Sequence, residues 1–132
     1  MKKINEELLN KVSQEAKESP RLRMNYNFHE HLGDKAQRLL NALEPGTLLP
    51  VHRHRHTAET YILLRGKIKV LFYNELRVLL EEEILSPQEG NYGVHIPAGQ
   101  WHTLEVLDTG SVIFEVKDGP YTPLSSADIL SE

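Results

Sequence analysis

Between Ala36 and Lys117 turn chemistry interrupts the chain so often that each uninterrupted run has only strand length. The breaks are Glu44-Pro45-Gly46, Arg65-Gly66, Asn74-Glu75, Ser86-Pro87-Gln88-Glu89-Gly90, Pro97-Ala98-Gly99 and Asp108-Thr109-Gly110. Glycine and asparagine accept left-handed backbone there, and proline fixes φ. The runs left between them are Ala36 to Leu43, Pro50 to His54, Glu59 to Arg65, Lys67 to Tyr73, Arg77 to Ile84, Tyr92 to Ile96, Trp101 to Leu107 and Val112 to Lys117. Short strands joined by regular turns predict an all-β jelly roll or sandwich. Glu81-Glu82-Glu83 would also suit a helix, but hairpin-length gaps flank that run and favour a strand.

Ahead of the strands, Ile4, Leu8, Leu9, Val12 and Ala16 recur at three- and four-residue spacing. That period predicts a helix over Asn5 to Glu18, capped by the Asn5 side chain and ended by Pro20. Residues 21–34 show no clear period and are read as an ordered connection over the barrel, with His29 and His31 as surface polar groups. The chain of 132 residues is one domain's length. It divides into an N-terminal helix and connection over 1–35, a β-barrel over 36–123 and a loose tail over 124–132.

A net charge of −4 argues against general nucleic-acid binding. The absence of cysteine removes disulfides and thiolate ligands. There is no apolar run of membrane length and no leader-like N-terminus, so no membrane partner and a cytoplasmic location are expected.

The chemistry is concentrated in His52-Arg53-His54-Arg55-His56-Thr57-Ala58-Glu59 and in Pro97-Ala98-Gly99-Gln100-Trp101-His102. Side chains alternate along a strand, so His52 and His54 share one face while Arg53 and Arg55 point the other way. Glu59 has the opposite parity and needs a turn before it, which Arg55 to Ala58 can supply. His102 follows a Pro-x-Gly turn that would return its strand against the first. Three imidazoles and a carboxylate suit a divalent first-row metal, whether zinc, iron, manganese or nickel. His56 would join that face only if the strand ran on; as a turn residue it belongs at the rim. His95 opposes Val94 and Ile96 in parity and is expected on the outer face. Arg53 and Arg55 are read as solvated charge, with a rim role toward an anionic substrate as the alternative.

Gly46, His52, His54, Glu59 and Gly66 stand at the spacing of the first cupin motif, and Gly90 with Pro97 to His102 resembles the second. Two positions depart from the pattern: Gly90 lies one residue too far from Pro97, and Val106 stands where the motif has asparagine. Glu44-Pro45-Gly46-Thr47, Pro50 to His54, Ile96 to His102 and Phe114 to Tyr121 resemble the WbuC family of cupin-fold metalloproteins, a likeness that extends N-terminally through Ser19 to Arg23. The resemblance implies a cupin double-stranded β-helix with an N-terminal α-helix. It also implies a metal on His52, His54, Glu59 and His102 and a setting in bacterial surface-polysaccharide gene clusters. Cupins commonly pair, which implies a homodimer.

Four ligands on an octahedral ion leave two positions for water or a small-molecule substrate, whose oxygen the metal could polarise. Isomerase, epimerase or lyase chemistry would need a further acid or base, and alternation offers Tyr61, Tyr92, Glu105 and Glu115 as candidates. The first expectation is a metal-dependent enzyme acting on a sugar or small oxygenated metabolite. The alternatives are a non-catalytic binding module and an iron-dependent dioxygenase.

Overall fold

The computed structural model describes residues 1–130. A single helix, α1 (Glu6–Glu18), precedes eight strands: β1 (Arg23–Asn27), β2 (Ala36–Leu43), β3 (Glu59–Arg65), β4 (Ile68–Tyr73), β5 (Leu79–Leu85), β6 (Gly93–Ile96), β7 (Trp101–Val106) and β8 (Ser111–Asp118). All pair antiparallel, in a five-stranded sheet of order β1-β2-β8-β3-β6 and a three-stranded sheet of order β5-β4-β7. Among the described residues no helix is long and apolar enough to cross a membrane.

Alternation explains how the five-stranded sheet buries both faces. Leu43, Tyr61, Leu63 and Ile113 point inward and meet Ile68, Val70, Leu85, Ile96 and Leu104 in the barrel core. Leu40, Ala42 and Val112, each one residue out of phase, point outward and are covered by Leu9, Val12 and Ala16 of α1. The continuous apolar run Val112-Ile113-Phe114 in β8 therefore needs no polar face. Fully burying an aliphatic side chain of this size stabilises by about 1.5–3 kcal/mol, so the helix contributes to the fold rather than decorating it.

α1 begins where its sequence directs. Asn5 accepts the Leu8 amide at 3.0 Å, satisfying a donor with no partner inside the helix. The Arg65 guanidinium then fastens the helix to the end of β3. It donates to Asn10 at 2.7 Å, Ser13 at 2.9 Å and Glu6 at 3.2 Å, and its Nε reaches the Gly110 carbonyl at 3.0 Å.

Three expectations are corrected. Residues 23–27 form a strand, because Met24, Tyr26 and Phe28 alternate toward the helix-covered core while Arg23 and Asn25 take the other face. The run from Pro50 to His54 is not a strand of its own, since its ladder contacts are single bridges made by His52 to His102 and to Ile129. The C-terminal segment is tied in as far as it is described: Leu130 donates to the Val51 carbonyl at 2.8 Å, and the Asp128 carbonyl accepts from Arg53 at 3.0 Å. The expected tail over 124–132 has its last two positions, 131 and 132, outside the described residues.

Gly66 turns β3 into β4 with φ +98, and a Cβ there would meet the Ser111 hydroxyl at 2.1 Å and its Cα at 2.5 Å. Gly90 is also left-handed, at φ +80, but an added Cβ would have nothing within 4 Å. In urea denaturation, Gly66→Ala is expected to cost upward of about 2 kcal/mol and Gly90→Ala only about 1 kcal/mol. Equal losses would show that backbone conformation alone, and not the contact with Ser111, requires glycine at 66.

Candidate metal centre

The site forms where residues 50–54 cross the end of β7. His52 donates to the His102 carbonyl at 3.0 Å, and His102 donates back to the His52 carbonyl at 2.8 Å. The pair sets the two imidazoles 4.3 Å apart, and alternation brings His54 onto the same side, 5.2 Å from His52 and 6.1 Å from His102 between ring centres. One nitrogen from each of these three histidines lies within 4.8 Å of the others.

Two of the rings are held in a defined tautomer. His52 Nδ1 lies 2.9 Å from the Pro50 carbonyl, and His102 Nδ1 lies 2.8 Å from that of Gln100. A carbonyl only accepts, so Nδ1 carries the hydrogen and the lone pair sits on Nε2, the arrangement a metal-binding imidazole requires. Burial disfavours the charged ring in both. It holds His52 near 4, helped by repulsion from His102, and it lowers His102 against the opposing pull of the Gln100 carbonyl and Glu59. Both rings are therefore neutral at pH 7.

Glu59 enters from the first residue of β3. Its Oε1 lies 2.6 Å from His54 Nε2, and its Oε2 faces His102 Nε2 at 3.8 Å. Burial pushes its carboxyl up, but the hydrogen bond from His54, with the electrostatic pull of His54, His102 and Lys117, outweighs it and holds the group near 2. Glu59 Oε2 and His102 Nε2 are buried without any hydrogen-bond partner. An orphaned carboxylate oxygen facing an orphaned imidazole lone pair is an expensive arrangement unless a cation lies between them. The donors fit a divalent first-row ion: neutral imidazole nitrogens and one carboxylate, with backbone carbonyls orienting the rings.

These groups line a cavity of about 410 Å³ whose wall is the inward face of the five-stranded sheet. Tyr61 and Glu115 are both in it, as alternation anticipates. The Tyr61 ring is centred 6.4 Å from that of His102, and burial together with the Glu59 charge holds its hydroxyl protonated. Glu115 accepts from Asn41 at 3.0 Å; burial, then the Glu59 charge, pushes its carboxyl up.

The other two candidates lie elsewhere. Glu105 is exposed because its parity on β7 opposes that of His102 and Leu104. Tyr92, 58% exposed, sits before β6 begins, just past the Ser86–Asn91 bridge at the barrel end. His56 is exposed on the rim, and His95 faces out against the Thr60 hydroxyl at 2.9 Å.

Arg53 and Arg55 point away from the imidazoles but are not simply solvated. Both donate through Nε to Asp128, at 3.1 and 3.0 Å, and Arg53 also stacks 4.5 Å from the Trp101 ring centre. This clasp carries residues 121–130 across the site, where Tyr121, Thr122 and Leu124 line the cavity. Sequence reasoning missed those residues, and with them Asn41, Arg21 and Arg23.

Two antiparallel sheets closed around three inward histidines define a cupin double-stranded β-helix. The same architecture is shared with the cupin domain of Schizosaccharomyces pombe Cnp3, at TM-score 0.58 and 11% identity over 73% of this chain and 64% of that one. It is shared too with the capsular polysaccharide assembling protein CapF of Staphylococcus aureus, at TM-score 0.61 and 22% identity over 75% of this chain and 27% of that one. Residues 4–85 match the family described as a domain of unknown function, DUF6016, and the chain belongs to that family. It is also 30% identical over 92 residues to mannose-1-phosphate guanylyltransferase of Escherichia coli (strain K12), covering 67% of this chain and spanning 17% of the length of that relative.

Asp128→Ala removes both arginine contacts while sparing the backbone bonds. Amide exchange at Leu130 is expected to become several-fold faster with the melting temperature little changed. Unaltered exchange would show that the backbone bonds alone hold the segment.

Proposed function

We propose that the protein is a metal-dependent cupin enzyme acting on a sugar or a small oxygenated metabolite. The observation that carries the reading is the pair of buried, unpartnered ligand atoms, Glu59 Oε2 and His102 Nε2, facing each other beside His52 and His54. His52, His54, Glu59 and His102 would hold the ion, which when bound supplies Lewis acidity toward a substrate oxygen. The chain's own groups then provide the rest. Tyr61, a neutral hydroxyl on the cavity wall, can offer a proton beside the bound substrate, and Glu115, a carboxyl group steadied by Asn41, is placed to exchange one. Tyr121, Thr122 and Leu124 complete the cavity wall.

A sugar-related substrate is supported by the names of proteins this chain resembles: a mannose-1-phosphate guanylyltransferase in sequence and a capsular polysaccharide assembling protein in fold. The motifs shared with the WbuC family point the same way, toward the assembly of bacterial surface polysaccharide.

His54→Ala is expected to lower bound metal by at least tenfold in elemental analysis and to lower the melting temperature with it, because ligation energy is partly folding energy. Chelation of the unmodified protein should reproduce the thermal shift, and readdition of metal at 100 times its Kd should restore about 2.7 kcal/mol. His56→Ala should keep full metal content. Metal content unchanged by His54→Ala would overturn the ligand assignment.

A further inference from the structure

Across the cavity from the histidines stand two arginines. Arg23 is the first residue of β1, and Arg21 lies two residues before it. Between them Leu22 adopts a left-handed backbone, φ +57, which an L side chain takes only under constraint. The constraint is visible. Leu22 donates to the Ser19 carbonyl at 3.0 Å, the Leu22 carbonyl accepts from Glu44 at 2.9 Å, and the Arg21 carbonyl accepts the Thr47 hydroxyl at 2.7 Å. The Arg23 guanidinium is oriented by Nη1 alone, which donates to Thr47 Oγ1 at 3.3 Å and the Leu48 carbonyl at 3.2 Å. Its Nε and Nη2 have no protein partner among the described residues.

The charge around these arginines is unbalanced. Arg23 is shifted down by burial and then by repulsion from Arg21, so the two cations are close enough to oppose each other. Among the described residues no carboxylate forms an ion pair with either. Lys117, the third cation on the cavity wall, is different: it lies opposite Glu59 in the β3–β8 register, so its charge is answered inside the site. A planar guanidinium with free donors on two nitrogens, beside a second one, matches the paired oxygens of a carboxylate or phosphate. Between this pair and the imidazoles lies Asn41. Its Nδ2 is spent on Glu115 and its Oδ1 is buried with no partner, an acceptor that a hydroxyl of the ligand would satisfy.

We infer that the substrate is a hydroxylated compound bearing an oxyanion, a sugar acid or a sugar phosphate, whose charged group is held by Arg21 and Arg23 while its hydroxylated part spans Asn41 toward the histidines. The inference rests on the proposed sugar-directed reading for its metal end, but the anion site uses none of the metal ligands.

The test is calorimetric titration of the full chain with glucose, glucose 6-phosphate and glucuronate, in metal-loaded and chelated forms. At least one charged sugar is expected to bind tenfold or more tightly than glucose in the loaded form. The phosphate and carboxylate arms tell which oxyanion the pair accepts. Arg21→Gln and Arg23→Gln should each reduce that preference about tenfold, the weight of a charge-assisted hydrogen bond, with metal content unchanged. Among the described residues Arg21 makes no side-chain hydrogen bond or ion pair, so its variant separates loss of recognition from loss of folding. Survival of the preference after chelation, together with absence of metal from the native protein, would sink the metal reading and leave the anion site standing. Equal binding of charged and neutral sugars, no binding of either charged sugar, or a preference untouched by both substitutions would overturn the inference.

Discussion

The exchange of two backbone hydrogen bonds between His52 and His102 is the contact on which the site depends. It joins residues 50–54 to the outer side of β7, brings two imidazoles to 4.3 Å, and leaves each ring bonded to the carbonyl two residues before it. Because the rings are tied through Nδ1, their ligand nitrogens are aimed by the backbone rather than by rotamer preference. The C-terminal segment then bridges to the far side of His52, so the histidine segment is held from both directions. No single side chain could impose this geometry alone.

The same five-stranded sheet serves two tasks through its two faces. One face, under α1, is apolar in β1, β2 and β8. The other is apolar at the closed end and polar at the open end, where Arg23, Asn25, Asn41, Glu115, Lys117, Glu59 and Tyr61 run across four neighbouring strands. Stability and chemistry are thus separated by a half-period of the strand rather than by distance along the chain.

How much of this could be read beforehand follows from the same alternation. His52, His54 and His102 were legible because their spacing within a strand and after a turn leaves few other arrangements, and β2, β3 and the helix were legible from clean periods. β1 was not, although Leu22, Met24, Tyr26 and Phe28 alternate with arginine and asparagine; no glycine or proline closes the run before Gly33, so it lacks the punctuation that marks out the later strands. Glu105 was misplaced because parity was not counted from His102, the anchored residue on its own strand. The segment 121–130 carries no period at all: its position comes from backbone pairing with Val51 and Arg53 and from Asp128, none of which composition announces.

The half-period separation sets limits on how such a chain can change in length. Loss or gain of one residue within β1 would turn Met24 and Tyr26 toward the cavity and drive Arg23 and Asn25 under the helix, exchanging the two faces along the whole strand. The same event in the loop before β2, in the Asn74–Val78 turn or in the Ser86–Asn91 turn leaves both faces as they are. Lineages of this fold are therefore free to lengthen at their loops, while the number of residues between Arg23 and Asn27 behaves as a fixed quantity.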